Sequence, residues 1–117
     1  MAIQIVGVLG AGQMGAGIAQ VAAMSGYDVV LTDISQSQLE RAKAGMEKSL
    51  SKLVAKERIS AADKDAALAR VTLATEMSAH SGSDIVIEAV TEHEPLKLQL
   101  LSQLDAVLGP DAILASN

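Results

Sequence analysis

The first 33 residues constrain this chain more than any other stretch, because they read strand, glycine turn, helix, strand, acid. Ile3-Gln-Ile-Val-Gly-Val-Leu9 is an apolar run that stops at Gly10-Ala-Gly12-Gln-Met-Gly15. A small-residue helix follows, Ala16-Gly-Ile-Ala-Gln-Val-Ala-Ala-Met24, and Gly26 ends it. Asp28-Val-Val-Leu-Thr32 then runs into Asp33, 23 residues after Gly10. Gly10 permits a tight turn off the strand, and Gly12 has no Cβ to hold an anion away from the backbone. Gly15 lets the helix approach the sheet, so that its N-terminal N–H groups and dipole face a phosphate. A carboxylate at the end of the second strand can accept hydrogen bonds from a ribose diol and repels a 2′-phosphate. The unit therefore reads as a dinucleotide site that prefers NAD to NADP. The agreement of strand, helix and acid with the glycine spacing is what separates it from a merely structural glycine turn. Asp33 also suits a helix N-cap for the segment that starts at Ser35, and the two roles are compatible.

Composition fits that unit. The 117 residues suffice for one domain with a core, and little more. There is no Trp, no Phe and one Tyr, Tyr27, so the core is built of Ala, Val, Leu, Ile and Met, which suits close packing of helices on a sheet. The absence of Cys excludes disulfides, thiolate metal sites and a cysteine nucleophile. A net charge of −5 argues against general nucleic-acid binding. No apolar run approaches the ~20 residues of a membrane span. Met1-Ala-Ile-Gln lacks the basic start of a signal peptide, so a soluble cytoplasmic protein is expected.

Periodicity predicts strand 3–9, helix 13–25, strand 28–32, helix 35–57, helix 61–69, strand 71–74, strand 84–89, helix 94–108 and strand 112–116. Alternating strands and helices imply a parallel sheet with right-handed crossovers. The expected strand order is 3-2-1-4-5, with the ligand crevice where strands 1 and 4 diverge: a Rossmann-type, doubly wound α/β fold. Pro95 falls near a helix start and Pro110 in the loop before the last strand. The segment 39–58 is long for a crossover helix, and with 61–69 it adds a helical hairpin. Leu39, Ala42, Met46, Leu50, Leu53 and Val54 form one apolar stripe. Another face carries Gly45, Lys48, Ser49, Lys52 and Lys56. From Glu40 to Arg58 six Lys/Arg stand against three Glu, a local +3 in an acidic chain. This face reads either as a solvated helix surface or as a docking surface for a phosphorylated ligand.

Three phrases carry a family likeness: Gly10-Ala-Gly-Gln-Met-Gly-Ala-Gly-Ile-Ala-Gln20, Asp84-Ile-Val-Ile-Glu-Ala-Val-Thr-Glu92 and Ala112-Ile-Leu-Ala-Ser-Asn117. With the helical hairpin between them, the chain resembles the 3-hydroxyacyl-CoA dehydrogenase family, and within it the bacterial 3-hydroxybutyryl-CoA dehydrogenases. That resemblance implies NAD-dependent hydride transfer between 3-hydroxyacyl-CoA and 3-ketoacyl-CoA. It implies that Gly10, Ala11, Gly12, Gln13, Met14 and Gly15 hold the pyrophosphate and Asp33 the adenosine ribose. Glu92 and Lys97 match positions that contact NAD toward the nicotinamide, Ser49 and Lys56 match positions that contact coenzyme A, and Asn117 lies near substrate and nicotinamide.

The resemblance also implies a sheet truncated after its fifth strand, in an incomplete NAD-binding domain over 1–117. The family's sequence continues into Thr-Ser-Ser, the catalytic histidine and its glutamate, the later strands and a helical domain that forms a homodimer. No residue here matches the catalytic pair. Residues 1–117 alone are therefore expected to bind NAD(H) without turnover. Their last strand is an open edge, through which self-association is expected. A stand-alone NADH-sensing module is the alternative of another class. Beta-hydroxyacid and sugar-nucleotide dehydrogenases share the glycine turn, but the Ser49/Lys56 face argues against them.

Three titratable residues stand apart. Glu88, at the end of a buried strand, is expected to make a structural hydrogen bond to a loop. His80 lies in the polar stretch Ser78-Ala-His-Ser-Gly-Ser83 and reads as a surface residue. His93, beside Glu92, does not match the family's catalytic histidine.

Overall fold

The computed structural model describes residues 3–90 and 94–116. In chain order these form β1 (Ile5–Leu9), α1 (Gln13–Met24), β2 (Asp28–Thr32), α2 (Gln36–Ala55), α3 (Ala61–Ala69), β3 (Val71–Ala74), a 3-10 turn (Met77–His80), β4 (Ile85–Glu88), α4 (Glu94–Val107) and β5 (Ile113–Ser116). The five strands are parallel, in the order β3-β2-β1-β4-β5. The Rossmann-type α/β architecture and the strand order agree with the sequence reading.

Most differences lie at element ends. β1 begins at Ile5 rather than Ile3; at its start the N–H groups of Gln4 and Ile5 both donate to the Asp84 carboxylate, at 2.8 and 2.9 Å. Those two bonds hold the Asp84 carboxyl below the ordinary aspartate range. α2 ends at Ala55 rather than residue 57. The N–H of Glu57 returns to Val54 O and that of Arg58 to Leu53 O, the paired bonds of a Schellman termination, with Glu57 left-handed at φ 57°. α1 ends the same way at Gly26, where φ is 98° and glycine meets the demand without strain. α3 starts with a reciprocal capping box between Ser60 and Asp63.

Side chains alternate across the strands, and the two faces of the sheet bury different things. Val6 and Val8 of β1, with Val29 and Leu31 of β2, meet Ala19 and Ala23 of α1, Leu39, Ala42, Met46 and Leu50 of α2, and Ala67 of α3. The predicted stripe of α2 is thus the core face, with Leu53 packed at its margin. On the other face Leu9 and Val86 meet Leu100 and Leu104 of α4.

That second face corrects the reading of His80. It is a fully buried residue closing a 3-10 turn, where the sequence suggested a surface loop. Its Nε2 lies 2.6 Å from Thr32 Oγ1, a partner 48 residues away that local polarity cannot announce.

Candidate nucleotide crevice

The glycine turn follows from three close approaches. Gly10 has φ 107°, in the left-handed region, and a Cβ there would stand 2.9 Å from Ala89 O. Its N–H donates to Thr32 O at 2.8 Å, tying the turn to the end of β2. A Cβ on Gly15 would lie 1.7 Å from Gly10 O, so only glycine lets α1 begin against the turn. Gly12 is different: a Cβ on it would meet nothing within 4 Å. The protein leaves that side of the turn open. Gly12 is also the N-cap of α1, with no side-chain capping bond, and the helix dipole points its positive end at this opening.

Asp33 stands across the opening. Oδ2 accepts the N–H of Ala11 at 2.8 Å and Oδ1 the N–H of Ser35 at 2.9 Å. Each oxygen keeps a lone pair for a hydroxyl. Asp33 does not cap α2; Ser35 does, accepting from Gln38 N at 3.3 Å. Ala11 is buried, and its N–H faces Asp33 rather than the opening. A crevice of about 400 Å³ is lined here by Gly10, Gly12, Asp33, Ile34, Gln38 and Val90, among others. An open glycine, a helix N-terminus and a braced carboxylate fit the phosphates and ribose of a dinucleotide. Gln13 and Met14, in the first turn of α1, are both exposed.

A second cleft, about 450 Å³, runs between α1 and α2 and shares Gly12 and Gln38 with the first. Ser49 and Gly45 line it, with Gln20 and Arg41. Ser49 Oγ accepts from Gln20 Nε2 at 2.9 Å, so α1 orients the hydroxyl that the sequence singled out on α2. Lys48, Lys52 and Lys56 are exposed and do not line this cleft. Gln20, Gln38 and Arg41 were not picked out from the sequence. Positions 38, 41, 42, 45, 46 and 49 share one helical stripe, and that spacing was the available signal.

Glu88 is fully buried at the end of β4 and accepts the N–H of Val90, the loop hydrogen bond expected of it. Lys97 lies in the first turn of α4. Glu92, His93 and Asn117 fall outside the described residues. Among the described residues no helix is long and apolar enough to cross a membrane, and no group of three or more His, Cys, Asp or Glu is placed to hold a metal ion.

The parallel sheet, the glycine turn at the head of α1 and the acid ending β2 define a dinucleotide-binding domain of the Rossmann class. The sequence profile of one such family, 3-hydroxyacyl-CoA dehydrogenase, NAD binding domain, matches residues 5–117. The chain belongs to this family, as the NAD-binding part of its enzymes. It is 46% identical over 111 residues to a probable 3-hydroxybutyryl-CoA dehydrogenase of Deinococcus radiodurans, covering 95% of this chain and 40% of that protein. It is 43% identical over 115 residues to the 3-hydroxybutyryl-CoA dehydrogenase of Bradyrhizobium diazoefficiens, covering 98% and 39%. The crystal structure of (S)-3-hydroxybutyryl-CoA dehydrogenase from Ralstonia eutropha superposes with a TM-score of 0.95 at 44% identity, over 99% of this chain and 41% of that one. The chain spans about two fifths of the length of the curated relatives it matches.

Proposed function

We propose that the crevice holds NAD(H) with its pyrophosphate over Gly10–Gly15 and its adenosine ribose on Asp33, in an enzyme that interconverts 3-hydroxyacyl-CoA and 3-ketoacyl-CoA. The observation that carries this is the Asp33 carboxylate, braced by two backbone N–H groups beside the open side of Gly12. The substrate pair is 3-hydroxybutyryl-CoA and acetoacetyl-CoA, supported by the names of the relatives. When bound, the cofactor supplies the hydride acceptor or donor. The residues of this chain bind and orient it: the α1 terminus neutralises phosphate charge, and Asp33 selects an unphosphorylated ribose. Glu92 and Lys97 contact it toward the nicotinamide, and Asn117 lies beside nicotinamide and substrate.

Coenzyme A docks on α2 through Ser49 and Lys56. The hydroxyl oriented by Gln20 and a lysine about two helical turns further along α2 suit its phosphates and amides. Alcohol oxidation also needs a base for the hydroxyl proton. His80 cannot serve, being sealed inside the second face with Nε2 on Thr32. We assign no catalytic role within residues 1–117, which by themselves bind NAD(H) without turnover. Self-association of these residues runs through β5, an edge strand whose Ile113 and Leu114 are exposed. The full-length enzyme is a homodimer and works in the cytoplasm.

Calorimetric titration with NADH, and NADPH for comparison, tests the cofactor reading. Saturable NADH binding with NADPH weaker by about tenfold or more is expected, and Asp33→Asn narrows that gap. Equal affinities would remove Asp33 from its role. CoA binding that survives Ser49→Ala and Lys56→Ala unchanged would remove the α2 docking face. Rapid NADH oxidation with acetoacetyl-CoA by residues 1–117 would overturn the claim of binding without turnover, and a monomer in sedimentation at high concentration the self-association.

A further inference from the structure

The last residue of the 3-10 turn is an imidazole sealed from solvent, and the sheet is shaped to receive it. A Cβ on Gly7 would stand 2.5 Å from His80 Nδ1 and 2.9 Å from Ser83 Oγ, so the central strand gives up a side chain where the ring lies. Nδ1 and Ser83 Oγ have no hydrogen-bond partner among the described residues. Burial pushes the imidazole down to about 4, so it is neutral near pH 7, with one N–H and one bare nitrogen. Nε2 and Thr32 Oγ1 share one hydrogen bond, in which either can donate according to the tautomer, and Nδ1 is left without a partner.

A buried polar pair costs desolvation that two apolar side chains avoid. Its location explains what it does. Thr32 is the last residue of β2; its carbonyl receives the N–H of Gly10, and the next residue is Asp33. One residue therefore carries both halves of the crevice, the glycine turn through its carbonyl and the ribose carboxylate through its peptide bond. The hydrogen bond to His80 ties the Thr32 side chain, and with it the end of β2, to the 3-10 turn.

We infer that His80 is a positioning residue for the dinucleotide crevice: by holding Thr32 it sets the direction in which Asp33 leaves the sheet, and with it the preference for a ribose without a 2′-phosphate. This rests on the reading of Asp33 given above.

The test measures NADH and NADPH affinities of the protein as its gene encodes it, in Thr32→Val, Thr32→Ser and the double variant Thr32→Val/His80→Leu. Thr32→Ser keeps the hydroxyl and should keep the wild-type preference. Thr32→Val should cut the NADH-over-NADPH preference about fivefold, the equivalent of one ordinary hydrogen bond. The double variant leaves no new polar group without a partner, so its melting temperature should recover over Thr32→Val while the preference stays low. A purely structural role predicts the opposite: a preference that never moves, or one that returns with the melting temperature. Either result overturns the inference, and the double variant decides even if Thr32→Val folds poorly. A wild-type protein that binds both nucleotides equally would overturn the Asp33 reading instead, and this inference with it.

Discussion

The two faces of the sheet solve the same packing problem with different chemistry. The face under α1, α2 and α3 is closed by Val, Leu, Met and Ala, and among the described residues no polar side chain is buried with them. The face under α4 and the 3-10 turn holds all four of the buried polar residues described, Thr32, His80, Ser83 and Glu88, beside a smaller apolar cluster. Apolar packing is tolerant of exact partners, because dispersion and water exclusion have little direction. Buried polar groups are directional, and each needs a partner in a particular place. Thr32 and Glu88 stand at the C-terminal ends of β2 and β4, where the chain turns into the crevice. The face that carries polar groups is thus the one that steers the loops of the site.

Substitution can break this comparison most sharply at the helix that joins the apolar face to the crevice. Gly15→Ala forces a methyl to 1.7 Å from Gly10 O, so α1 must move off the turn. We expect a loss of about 3 kcal/mol in chemical denaturation, and NADH binding lost with it. On the polar face, Gly7→Ala drives a methyl into His80 and Ser83. It should cost about 2 kcal/mol. Combining it with His80→Ala should recover part of that loss, with a coupling of about 1 kcal/mol in a double-mutant cycle. Strict additivity would mean that Gly7 and His80 do not share space as described.

A pH series sharpens the contrast. His80 falls from 6.5 in the unfolded chain to about 4 when folded, so the unfolded state binds the extra proton between those values. Its contribution is complete above pH 6.5, declines as pH falls through that window and is gone below about 4. Melting temperature should drop by several degrees across the window, and His80→Leu should flatten that slope. Asp84 acts below it: its depressed carboxyl stabilises the fold at higher pH and stops doing so as it protonates under 3.8. The smallest effect belongs to the helix ends. Glu57→Gly gives α2 the residue α1 already has at the equivalent position, Gly26, and should raise stability by about 0.5 kcal/mol.

Much of the site was legible because its signals are local. Gly10 and Gly15 mark positions where a Cβ would meet another part of the backbone, Gly12 one where the turn lies open, and a short motif contains all three. Asp33 was placed by counting from Gly10, since strand, helix and turn lengths are fixed by geometry. The α2 stripe came from periodicity alone, and Leu39, Ala42, Met46 and Leu50 are buried as that stripe requires. The second cleft was only half visible. Ser49 and Gly45 were found on their helix, but that they line a cleft with Gln20 of α1 depends on how α2 is rolled against α1.

What the sequence determined by itself was the glycine turn, the acid beyond β2 and the apolar side of the hairpin, which follow from chain-local rules of spacing, sterics and amphipathicity, and the order of the strands, which follows from their alternation with helices and the right-handed crossover. Only the tertiary structure decided the fate of His80. Serines and a glycine surround it in the chain and mark it as surface. Its ring meets Thr32 and the missing side chain of Gly7 only once β1, β2 and the 3-10 turn are assembled. A buried polar residue is specified by partners distant in sequence, and no local pattern records them.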